Sequence, residues 1–365
     1  MKLERIIISG GGTGGHIFPA LAIAEAFRKA APGINILFIG AEGRMEMEKI
    51  PAAGYPIEAI RIEGLKRKNL LANIFLIPKL FKAIRQSKKI IRRFGAQLVV
   101  GTGGFVSGPV LWAACDLKIP AVIQEQNSLP GLTNRLLGRR VRLICTAYPG
   151  LERYFPGKRV VLTGNPVREK IEFIRPGKAE ACQHFRLQPQ WPVVLVYGGS
   201  QGARGINLGL QSALPALQNR HVQVLWQTGH QFFPEAERWI AEHNLTLVKP
   251  IPFIDEMQLA YAAADLVVSR AGAMTISELA LLAKPVILIP LPTAAQNHQY
   301  HNARVLEEAG AACCLMEDEV PSRLSSLILE LLNDTARRTQ MATKISGFAK
   351  PRAAEAIVHA ILQAL

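Results

Sequence analysis

The sequence predicts an α/β protein of two Rossmann-like domains, each a doubly wound parallel sheet, that face each other across a cleft. Three observations predict this class. The chain has 365 residues, about twice the usual length of one domain. A buried strand, a glycine-rich turn and a helix follow one another at the start of the chain and again from Val193. After each start, short apolar runs alternate with helical stretches.

The first half opens with a strand pattern at residues 5–9, a glycine turn at residues 10–16 and a helix with Pro19 in its first turn. The second half repeats this order, with a strand at residues 193–197 and a glycine turn at residues 198–205. Further strands are predicted where short apolar runs recur, at residues 34–39, 98–101, 121–123, 222–226, 266–269 and 286–289.

Proline and glycine mark the predicted boundary between the halves. The segment at residues 164–168 and the Pro-, Gly- and charge-rich stretch at residues 175–191 predict a hinge. We therefore expect a first domain over residues 1–163 and a second over residues 164–349. A final helix, at about residues 350–365, could pack on either domain.

The composition, 49% apolar and 19% charged, is that of a globular protein and excludes disorder, collagen and coiled coil. No apolar run reaches the roughly 18–20 residues that cross a bilayer, so neither a signal peptide nor a spanning helix is expected. The five cysteines form no C-x-x-C pair, which argues against a disulfide framework or a zinc knuckle and favours the reducing cytosol. The net charge of +15 predicts a polyanionic partner: nucleic acid, an anionic membrane or phosphorylated substrates.

Most of the excess charge lies in one segment. Residues 61–93 hold eleven Lys or Arg and one acid, and apolar residues at three- and four-residue steps predict a basic amphipathic helix or helix pair, with a kink at Pro78. Such a segment can dock on anionic lipid. It could equally pack its apolar stripe on the core and leave the bases in solvent. Nucleic acid is less favoured, because only two aromatic residues and no zinc-finger or RNP-type motif accompany the charge.

Four glycine-rich turns follow predicted strands, at residues 10–16, 101–108, 198–205 and 269–278. In open α/β sheets ligands bind outside the carboxyl ends of the strands, where helix amino termini offer N–H groups and a partial positive charge. The turns therefore predict phosphate-bearing ligands. The first turn also fits the dinucleotide pattern G-x-G-x-x-G, but the acid expected about twenty residues later is missing, since Glu42 is late.

Residues 198–202 also fit the G-x-S-x-G elbow of serine hydrolases, with Asp255 or Asp265 and then His298 in the expected order. Against this alternative, the similar first glycine turn has no serine at the elbow position, so one phosphate-binding role explains both turns. A non-catalytic basic module that binds membrane or nucleic acid is the third alternative. No P-loop, H-E-x-x-H or D-x-D signature occurs, and neither a metal nor a cofactor is predicted.

Motifs over nearly the whole chain resemble those of the MurG-type N-acetylglucosaminyltransferases of peptidoglycan synthesis. The matching segments lie at residues 10–20, 103–109, 125–127, 131–134, 164–168, 198–204, 269–278 and 298–303. The resemblance implies an inverting enzyme of the glycosyltransferase B architecture. It implies transfer of GlcNAc from UDP-GlcNAc to the C4 hydroxyl of MurNAc in undecaprenyl-diphosphate-MurNAc-pentapeptide (lipid I), which gives lipid II and UDP. The first domain would then face acceptor and membrane, and the second would bind the donor.

The resemblance also implies roles for single residues. His16 is the candidate general base, because an imidazole with a pKa of about 6.5 accepts a proton at neutral pH; a positioning role is the alternative, and Glu125 is the competing base. Main-chain amides and Ser200 would hold the donor diphosphate, and Glu278 would accept both ribose hydroxyls. The full set of substrate-binding residues is Thr13, Gly14, Gly15, Asn127, Arg168, Ser200, Ile254, Ala273, Met274, Thr275, Ile276, Ser277, Glu278 and Gln299, with Gly103, Gly104 and Phe105 on the acceptor side.

Two positions depart from the family pattern: Gln124 stands where many members have histidine, and Gln296 stands where an acid is common. An acceptor anchored in lipid gives the basic segment a purpose. We predict that a face formed by Ile74, Phe75, Lys79, Phe81, Lys82 and Arg85 docks on the anionic inner leaflet. The enzyme is therefore expected to be peripheral on the cytoplasmic side of the inner membrane, with cell-wall synthesis and division proteins as partners and without nucleic acid.

Overall fold

The structure, a computed structural model, describes residues 3–62, 76–199 and 201–365. It divides into two compact units. The first holds the chain up to Arg168 together with Lys350–Leu365, and the second spans Glu169–Ala349. Each unit is built on one parallel sheet with helices on both sides, which confirms the predicted fold class. The division after Arg168 leaves the residues of the predicted hinge at 164–168 in the first unit.

The strands of the first unit are β1 (Arg5–Gly10), β2 (Asn35–Ala41), β3 (Ile57–Ile60), β4 (Leu98–Gly103), β5 (Ala121–Glu125), β6 (Leu143–Thr146) and β7 (Val160–Leu162). They form a sheet in the order β3-β2-β1-β4-β5-β6-β7, and all pairs are parallel. β1 and β4 are buried on both faces, which explains why they appear as continuous apolar runs in the sequence. The sequence analysis missed β3, β6 and β7, which are only three or four residues long.

The helices that follow these strands are α1 (Gly14–Ala30), α2 (Glu46–Ala52), α3 (Leu76–Phe94), α4 (Ser107–Asp116) and α5 (Leu132–Gly138). α1 begins inside the predicted glycine turn, so Pro19 lies within the helix and not in its first turn. The reason is that Thr13 adopts the extended N-cap conformation and its carbonyl accepts the N–H of Ile17 at 3.2 Å. His16 is therefore the third residue of a helix.

The second unit has the strands β8 (Val193–Tyr197), β9 (Gln223–Gln227), β10 (Val248–Ile251), β11 (Leu266–Ser269), β12 (Val286–Leu288) and β13 (Cys313–Cys314). Their order is β10-β9-β8-β11-β12-β13, again parallel throughout. The helices are α6 (Glu169–Phe173), α7 (Lys178–Phe185), α8 (Arg204–Gln218), α9 (Phe233–Glu242), α10 (Met257–Ala263), α11 (Ala273–Leu281), α12 (His298–Glu308), α13 (Val320–Asn333) and α14 (Thr335–Ser346). The Pro-, Gly- and charge-rich stretch at 175–191 contains α7, which buries Ala181, Cys182 and Phe185.

The last helix, α15 (Ala353–Ala364), belongs to the first unit, where it packs on α1. Its buried residues Ile357, Val358 and Ile361 join the same core as the apolar face of α1. Arg142 fixes its end, because the guanidinium donates to the carbonyl oxygens of Ala364 and Leu365.

The predicted basic helix is α3, and residues 63–75, which include Ile74 and Phe75, lie outside the described residues. Pro78 falls in the first turn of α3, where proline is tolerated without a kink. Ala83, Ile90 and Ile91 pack inward, whereas Phe81 is 68% exposed. In the described part of the chain, no helix combines the length and apolarity that crossing a bilayer requires.

Candidate active site

Two glycine turns of the first unit meet at the carboxyl ends of β1 and β4, neighbouring strands at which the strand order reverses. Open α/β sheets bind their ligands at this position. Gly103 has a φ of +100°, and a Cβ atom there would lie 2.8 Å from Nδ1 of His16. Gly104 has a φ of +79°, and its Cβ would lie 2.2 Å from the carbonyl oxygen of Gly11. Because only glycine permits this approach, the two turns and His16 form one cluster.

The imidazole of His16 is held in a defined tautomer. Its Nδ1 lies 3.0 Å from the carbonyl oxygen of Thr102 and 3.2 Å from Oε1 of Gln126. A carbonyl oxygen only accepts hydrogen bonds, so Nδ1 carries the proton and Nε2 carries the lone pair. The hydroxyl of Thr102 also donates to the carbonyl of His16 at 2.8 Å. This arrangement suits a group that accepts a proton on Nε2.

Glu125, the competing base, is buried at the end of β5 with both carboxylate oxygens engaged. Oε1 accepts from the backbone N–H of Asn127 at 2.9 Å and from its side chain at 3.3 Å. Oε2 accepts from the N–H of Gly131 at 3.0 Å and from the side chain of Asn134 at 2.8 Å. Protonation of Glu125 would weaken bonds that hold the loop between β5 and α5. Glu125 therefore ties Asn127, Gly131 and Asn134 together in the loop between β5 and α5.

The other predicted residues of the first unit surround the same turns. Thr13 is the N-cap of α1, and Gly14 and Gly15 are its first two residues. Phe105 follows the second turn, and its ring lies against the first: a Cβ on Gly12 would be 3.0 Å from its Cε1 atom. Thr13 and Gly15 are exposed. A ligand at this edge of the sheet can therefore reach them.

The first glycine turn carries a carboxylate that the motifs did not indicate. Glu46, fully buried at the start of α2, accepts the N–H of Gly12 at 3.0 Å and the N–H of Ala41 at 3.1 Å. A Cβ on Gly11 would lie 2.2 Å from Oε1 of Glu46. The N–H of Gly12 is therefore engaged by this carboxylate and is not open to a phosphate.

In the second unit, the glycine turn after β8 and the start of α11 lie at the carboxyl ends of β8 and β11, where the strand order again reverses. Gly202 has a φ of +76°, and a Cβ there would lie 2.1 Å from the carbonyl oxygen of Thr228. The turn therefore packs tightly on the end of β9. Ser200, the predicted diphosphate ligand of this turn, lies outside the described residues.

The side chain of Gln227 joins this turn to the loop that holds Ile254. Its Nε2 donates to the carbonyl of Gly199 at 2.8 Å, and its Oε1 accepts the N–H of Ile254 at 2.8 Å. The N–H of Ile254, a predicted substrate-binding residue, is therefore engaged within the protein. Gln227 itself is buried, so the connection is shielded from water.

α11 presents its amino terminus at the same edge. Gly272 is the extended N-cap, and the N–H of Ile276 donates to its carbonyl at 3.0 Å. The N–H groups of Ala273, Met274 and Thr275 precede this first helical bond and point out of the helix start. The first turn of α11 contains no acidic residue. The helix start is therefore suited to an anion such as a diphosphate.

Glu278 lies one turn further along α11 and is buried. Its Oε2 accepts from the hydroxyl of Tyr261 at 2.8 Å, and that hydroxyl lies 2.7 Å from the hydroxyl of Tyr197. Burial raises the pKa of both tyrosines, so both hydroxyls stay protonated at neutral pH. Because a carboxylate offers about four acceptor positions, it can accept hydrogen bonds from more than one hydroxyl. Next to Glu278, the hydroxyl of Ser277 donates to the carbonyl of Ala273 at 3.0 Å.

Gln299 and Arg168 are the remaining predicted residues. Gln299, in the first turn of α12, accepts the N–H of Leu291 through Oε1 at 2.9 Å, which orients its amide group. The loop before it is strained, because Gln296 and Asn297 have φ values of +51° and +54°. Arg168 is exposed at the end of the first unit.

The same geometry bears on two other kinds of site, a metal site and the catalytic triad of a serine hydrolase. Among the described residues, no group of three or more His, Cys, Asp or Glu side chains could hold a metal ion. Asp265, a candidate hydrolase acid, binds Nζ of Lys178 at 2.7 Å and the N–H of Val193 at 2.8 Å. It therefore sits at the amino end of β8, opposite the glycine turn, and cannot complete a triad there.

Comparison with known families identifies the chain. The model of the glycosyltransferase family 28 N-terminal domain matches residues 6–146, and the model of the C-terminal domain of that family matches residues 193–357. Together they match well over half of the chain. The chain belongs to glycosyltransferase family 28.

Curated relatives of this family 28 chain carry one name, UDP-N-acetylglucosamine–N-acetylmuramyl-(pentapeptide) pyrophosphoryl-undecaprenol N-acetylglucosamine transferase. The Parabacteroides distasonis protein is 44% identical over 100% of this chain and 99% of its own length. The protein of Porphyromonas gingivalis strain W83 is 46% identical over 98% of this chain and 94% of its own length. The predicted family is thereby confirmed, and the hydrolase and basic-module alternatives find no support.

Solved structures agree with this family 28 assignment. The crystal structure of Acinetobacter baumannii MurG matches with a TM-score of 0.80 and 29% identity over 99% of both chains. A UDP-GlcNAc 2-epimerase from Neisseria meningitidis, solved with UDP-GlcNAc, matches with a TM-score of 0.69 and 15% identity over 99% of this chain and 100% of its own. At 15% identity, the similarity to the epimerase shows a shared fold alone. The expected glycosyltransferase B architecture is confirmed by the MurG structure.

Several polar residues that support the family 28 site were not found from the sequence. Their shared feature is complete burial with side-chain hydrogen bonds to the residues named above. They are Glu46, Gln124, Gln126, Asn165, Gln227 and Tyr261. For Gln124 in β5 and Gln227 in β9, a polar residue inside an apolar strand is the signal that could have found them, because buried polar groups are almost always paired.

Proposed function

We propose that this enzyme transfers GlcNAc from UDP-GlcNAc to the C4 hydroxyl of MurNAc in lipid I, forming lipid II and UDP. The observation that carries the proposal is the end-to-end match, at 44% and 46% identity, with proteins named for this transfer. In the inverting reaction the acceptor oxygen bonds to the anomeric carbon while the bond from that carbon to the diphosphate oxygen breaks. The hydroxyl proton must go to a base, and the departing diphosphate must be stabilised.

The second unit is the proposed donor site. The N–H groups of Ala273, Met274 and Thr275 and the glycine turn that contains Ser200 would hold the diphosphate. Two features support this assignment: the helix start has no acid in its first turn, and both elements lie where the strand order reverses. These preorganised dipoles would stabilise negative charge as UDP leaves.

Glu278 would bind the ribose of the donor. Its burial and its bond from Tyr261 fix the carboxylate one turn behind the helix start. Ile254 would contribute its carbonyl to uracil recognition, and the Nε2 of Gln299 would donate to sugar hydroxyls while its Oε1 remains on Leu291. Arg168 is proposed as a further nucleotide contact, and Ile276 and Ser277 complete the start of α11.

His16 is the proposed general base, acting through Nε2. The tautomer supports this role, because the Thr102 carbonyl holds the Nδ1 proton. Glu125 instead keeps the loop of Asn127 in place through its four accepted hydrogen bonds. On the acceptor side, we assign Gly103, Gly104 and Phe105, together with Thr13, Gly14 and Gly15, to the surface that the muramyl substrate contacts.

The basic face of α3 is the proposed membrane contact. Lys79, Phe81, Lys82 and Arg85 are exposed, and α3 contains no acidic residue. The neighbouring helix α4 adds Trp112, which is 43% exposed and lies under the guanidinium of Arg140 at 4.3 Å. An aromatic side chain beside cations suits the lipid headgroup region. The enzyme would then be peripheral on the cytoplasmic membrane face, and protein partners of cell-wall synthesis and division stay a prediction.

The test is a coupled assay of UDP release. Purified enzyme with UDP-GlcNAc should release UDP only when lipid I or a short-chain analogue is present, and one lipid II should form for each UDP. Release of UDP at the same rate without acceptor would contradict the proposed transfer. Labelling of Ser200 by a fluorophosphonate would favour the hydrolase alternative instead.

A further inference from the structure

Behind His16, three side-chain amides form a continuous hydrogen-bonded chain. Nδ1 of His16 donates to Oε1 of Gln126 at 3.2 Å, and Nε2 of Gln126 donates to Oε1 of Gln124. Nε2 of Gln124 donates to Oδ1 of Asn165 at 2.9 Å. This series of hydrogen bonds returns to Gln126, because Nδ2 of Asn165 donates to the backbone carbonyl of Gln126 at 3.1 Å. We refer to Gln126, Gln124 and Asn165 as the amide chain.

Backbone carbonyls fix the direction of the Gln126 and Asn165 amides, and these two neighbours fix the direction of the Gln124 amide. The carbonyl of Gln126 receives Nδ2 of Asn165, and the carbonyls of Thr102 and Gln124 receive Nε2 of Gln126 at 2.6 and 3.1 Å. Because a carbonyl can only accept, each of these contacts must be made by an amide nitrogen. Each amide oxygen therefore faces the donor on its His16 side, and the dipoles align with their negative ends toward the imidazole.

Burial makes this alignment energetically significant. Gln124, Gln126 and Asn165 are 0%, 2% and 3% exposed. Buried amides are costly unless they are paired, and hydrogen bonds that share groups strengthen one another in a medium of low polarity. The amide chain therefore presents the negative ends of its dipoles to His16. It does so without burying a second charged group, which would cost free energy.

We propose that the amide chain positions His16 for catalysis: it keeps the proton on Nδ1 and stabilises the imidazolium that forms when Nε2 takes the proton of the acceptor hydroxyl. The inference rests on the proposed function of His16. Gln124, Gln126 and Asn165 are buried and would act through His16, so they are positioning residues. Stabilising the imidazolium makes His16 a stronger base.

Gln124 offers the sharpest test, because substitutions there leave the contacts of His16 itself untouched. Gln124→Leu breaks the chain at its middle. A Gln124→His variant restores it, because a neutral imidazole also has one donor and one acceptor. Gln223→Leu is the matched control: Gln223 is equally buried, and its amide also makes two hydrogen bonds, to the backbone of Gln188 in the second unit.

We expect Gln124→Leu to lower kcat about tenfold or more and to leave the KM for UDP-GlcNAc unchanged. The acid limb of its kcat/KM pH profile should also move to lower pH, because His16 becomes a weaker base. Gln124→His should regain a plateau within roughly threefold of wild type. Below the pKa of the new imidazole, the Gln124→His variant should lose activity more steeply than wild type, because a protonated ring cannot accept from Gln126. Gln223→Leu should leave both the plateau and the limb unchanged.

The inference is overturned if Gln124→Leu has the kcat and the acid limb of the Gln223→Leu control, or if Gln124→His is no better than Gln124→Leu at high pH. Thermal unfolding of all three variants detects the case in which Gln124→Leu does not fold. Gln124→His is then compared with wild type, and a plateau more than roughly threefold lower or an acid limb no steeper than that of wild type overturns the inference. Failure of the proposed function itself would differ, since the wild type would release no UDP with lipid I.

Discussion

The carboxylate of Glu278 should be the group that recognises the donor ribose. In Glu278→Ala, two hydroxyls lose a charged acceptor, and a hydrogen bond to a charged group contributes about 1.5 kcal/mol at the lower end of its range. Two such bonds amount to about 3 kcal/mol, or roughly a 150-fold weaker Kd for UDP. Glu278→Gln keeps one acceptor oxygen and should weaken UDP about tenfold.

Calorimetric titration with UDP and 2′-deoxy-UDP isolates the ribose contact. The wild type should bind the deoxy nucleotide more weakly, and Glu278→Ala should bind both nucleotides equally. Tyr261→Phe is the matched control, because it removes the same bond from Oε2 of Glu278 but keeps the carboxylate. It should preserve the discrimination between the two nucleotides.

The reasoning about Glu278 would be refuted by a Glu278→Ala variant that still prefers UDP over 2′-deoxy-UDP. An unchanged Kd for UDP in that variant would refute it as well. A loss of discrimination in Tyr261→Phe would show that the hydroxyl network, and not the carboxylate, selects the ribose.

Four further predictions follow from the described contacts. His16→Ala should lower kcat by about 100-fold to 10,000-fold while the Kd for UDP stays the same, and an equal loss in both would argue against its role as the base. Gly103→Ala should lower kcat about 100-fold, because its Cβ would lie 2.8 Å from Nδ1 of His16 and push the ring aside; a wild-type kcat would contradict the close packing. Exchange of Lys79, Lys82 and Arg85 for Glu should weaken binding to anionic liposomes at low salt by at least about 100-fold, because each removed positive charge costs about 1 kcal/mol of binding free energy. Unchanged binding would exclude α3 as the membrane contact. Hydrogen bonds from Lys88 and Arg140 lower the pKa of Asp116, so the stability that its carboxylate contributes is present above a pH of about 4 and is lost as the pH falls through its folded pKa. Asp116→Asn should therefore cost about 0.5 kcal/mol in urea unfolding at neutral pH, and this cost should shrink as the pH falls below about 4.

Much of the fold could be predicted because its central strands are buried on both faces. The runs at residues 5–9 and 193–197 have an unambiguous apolar signal, and the glycines after them mark the carboxyl ends of β1 and β8. Edge strands such as β7 and β13 carry too few apolar residues to be recognised. The helix α7 was missed because Pro and Gly around it resemble a linker, although its own residues bury a small apolar face.

The site was predicted where the chemistry is carried by a motif. His16 lies at a helix start, Glu125 at the carboxyl end of a strand and Glu278 one turn along α11, all within motifs that the sequence shows. The sequence does not show that Glu125 accepts four hydrogen bonds, because Asn134 contacts it only in the folded chain. It also could not show that Gln227 occupies the N–H of Ile254, a contact 27 positions away in the chain.

Gln124 is the instructive case. The sequence marked it only as a departure from a family pattern, and a single position gives no indication of its partners. The structure places its amide between Gln126 and Asn165, a residue 41 positions later. Long-range pairing of this kind depends on the order of the strands, which local patterns do not specify.

A crystal structure of the enzyme with UDP tests the central claim most directly. The account predicts diphosphate density against the N–H groups of Ala273, Met274 and Thr275, with both ribose hydroxyls within about 3 Å of the Glu278 carboxylate. Diphosphate bound solely at the glycine turns of the first unit, with the start of α11 vacant, would contradict it.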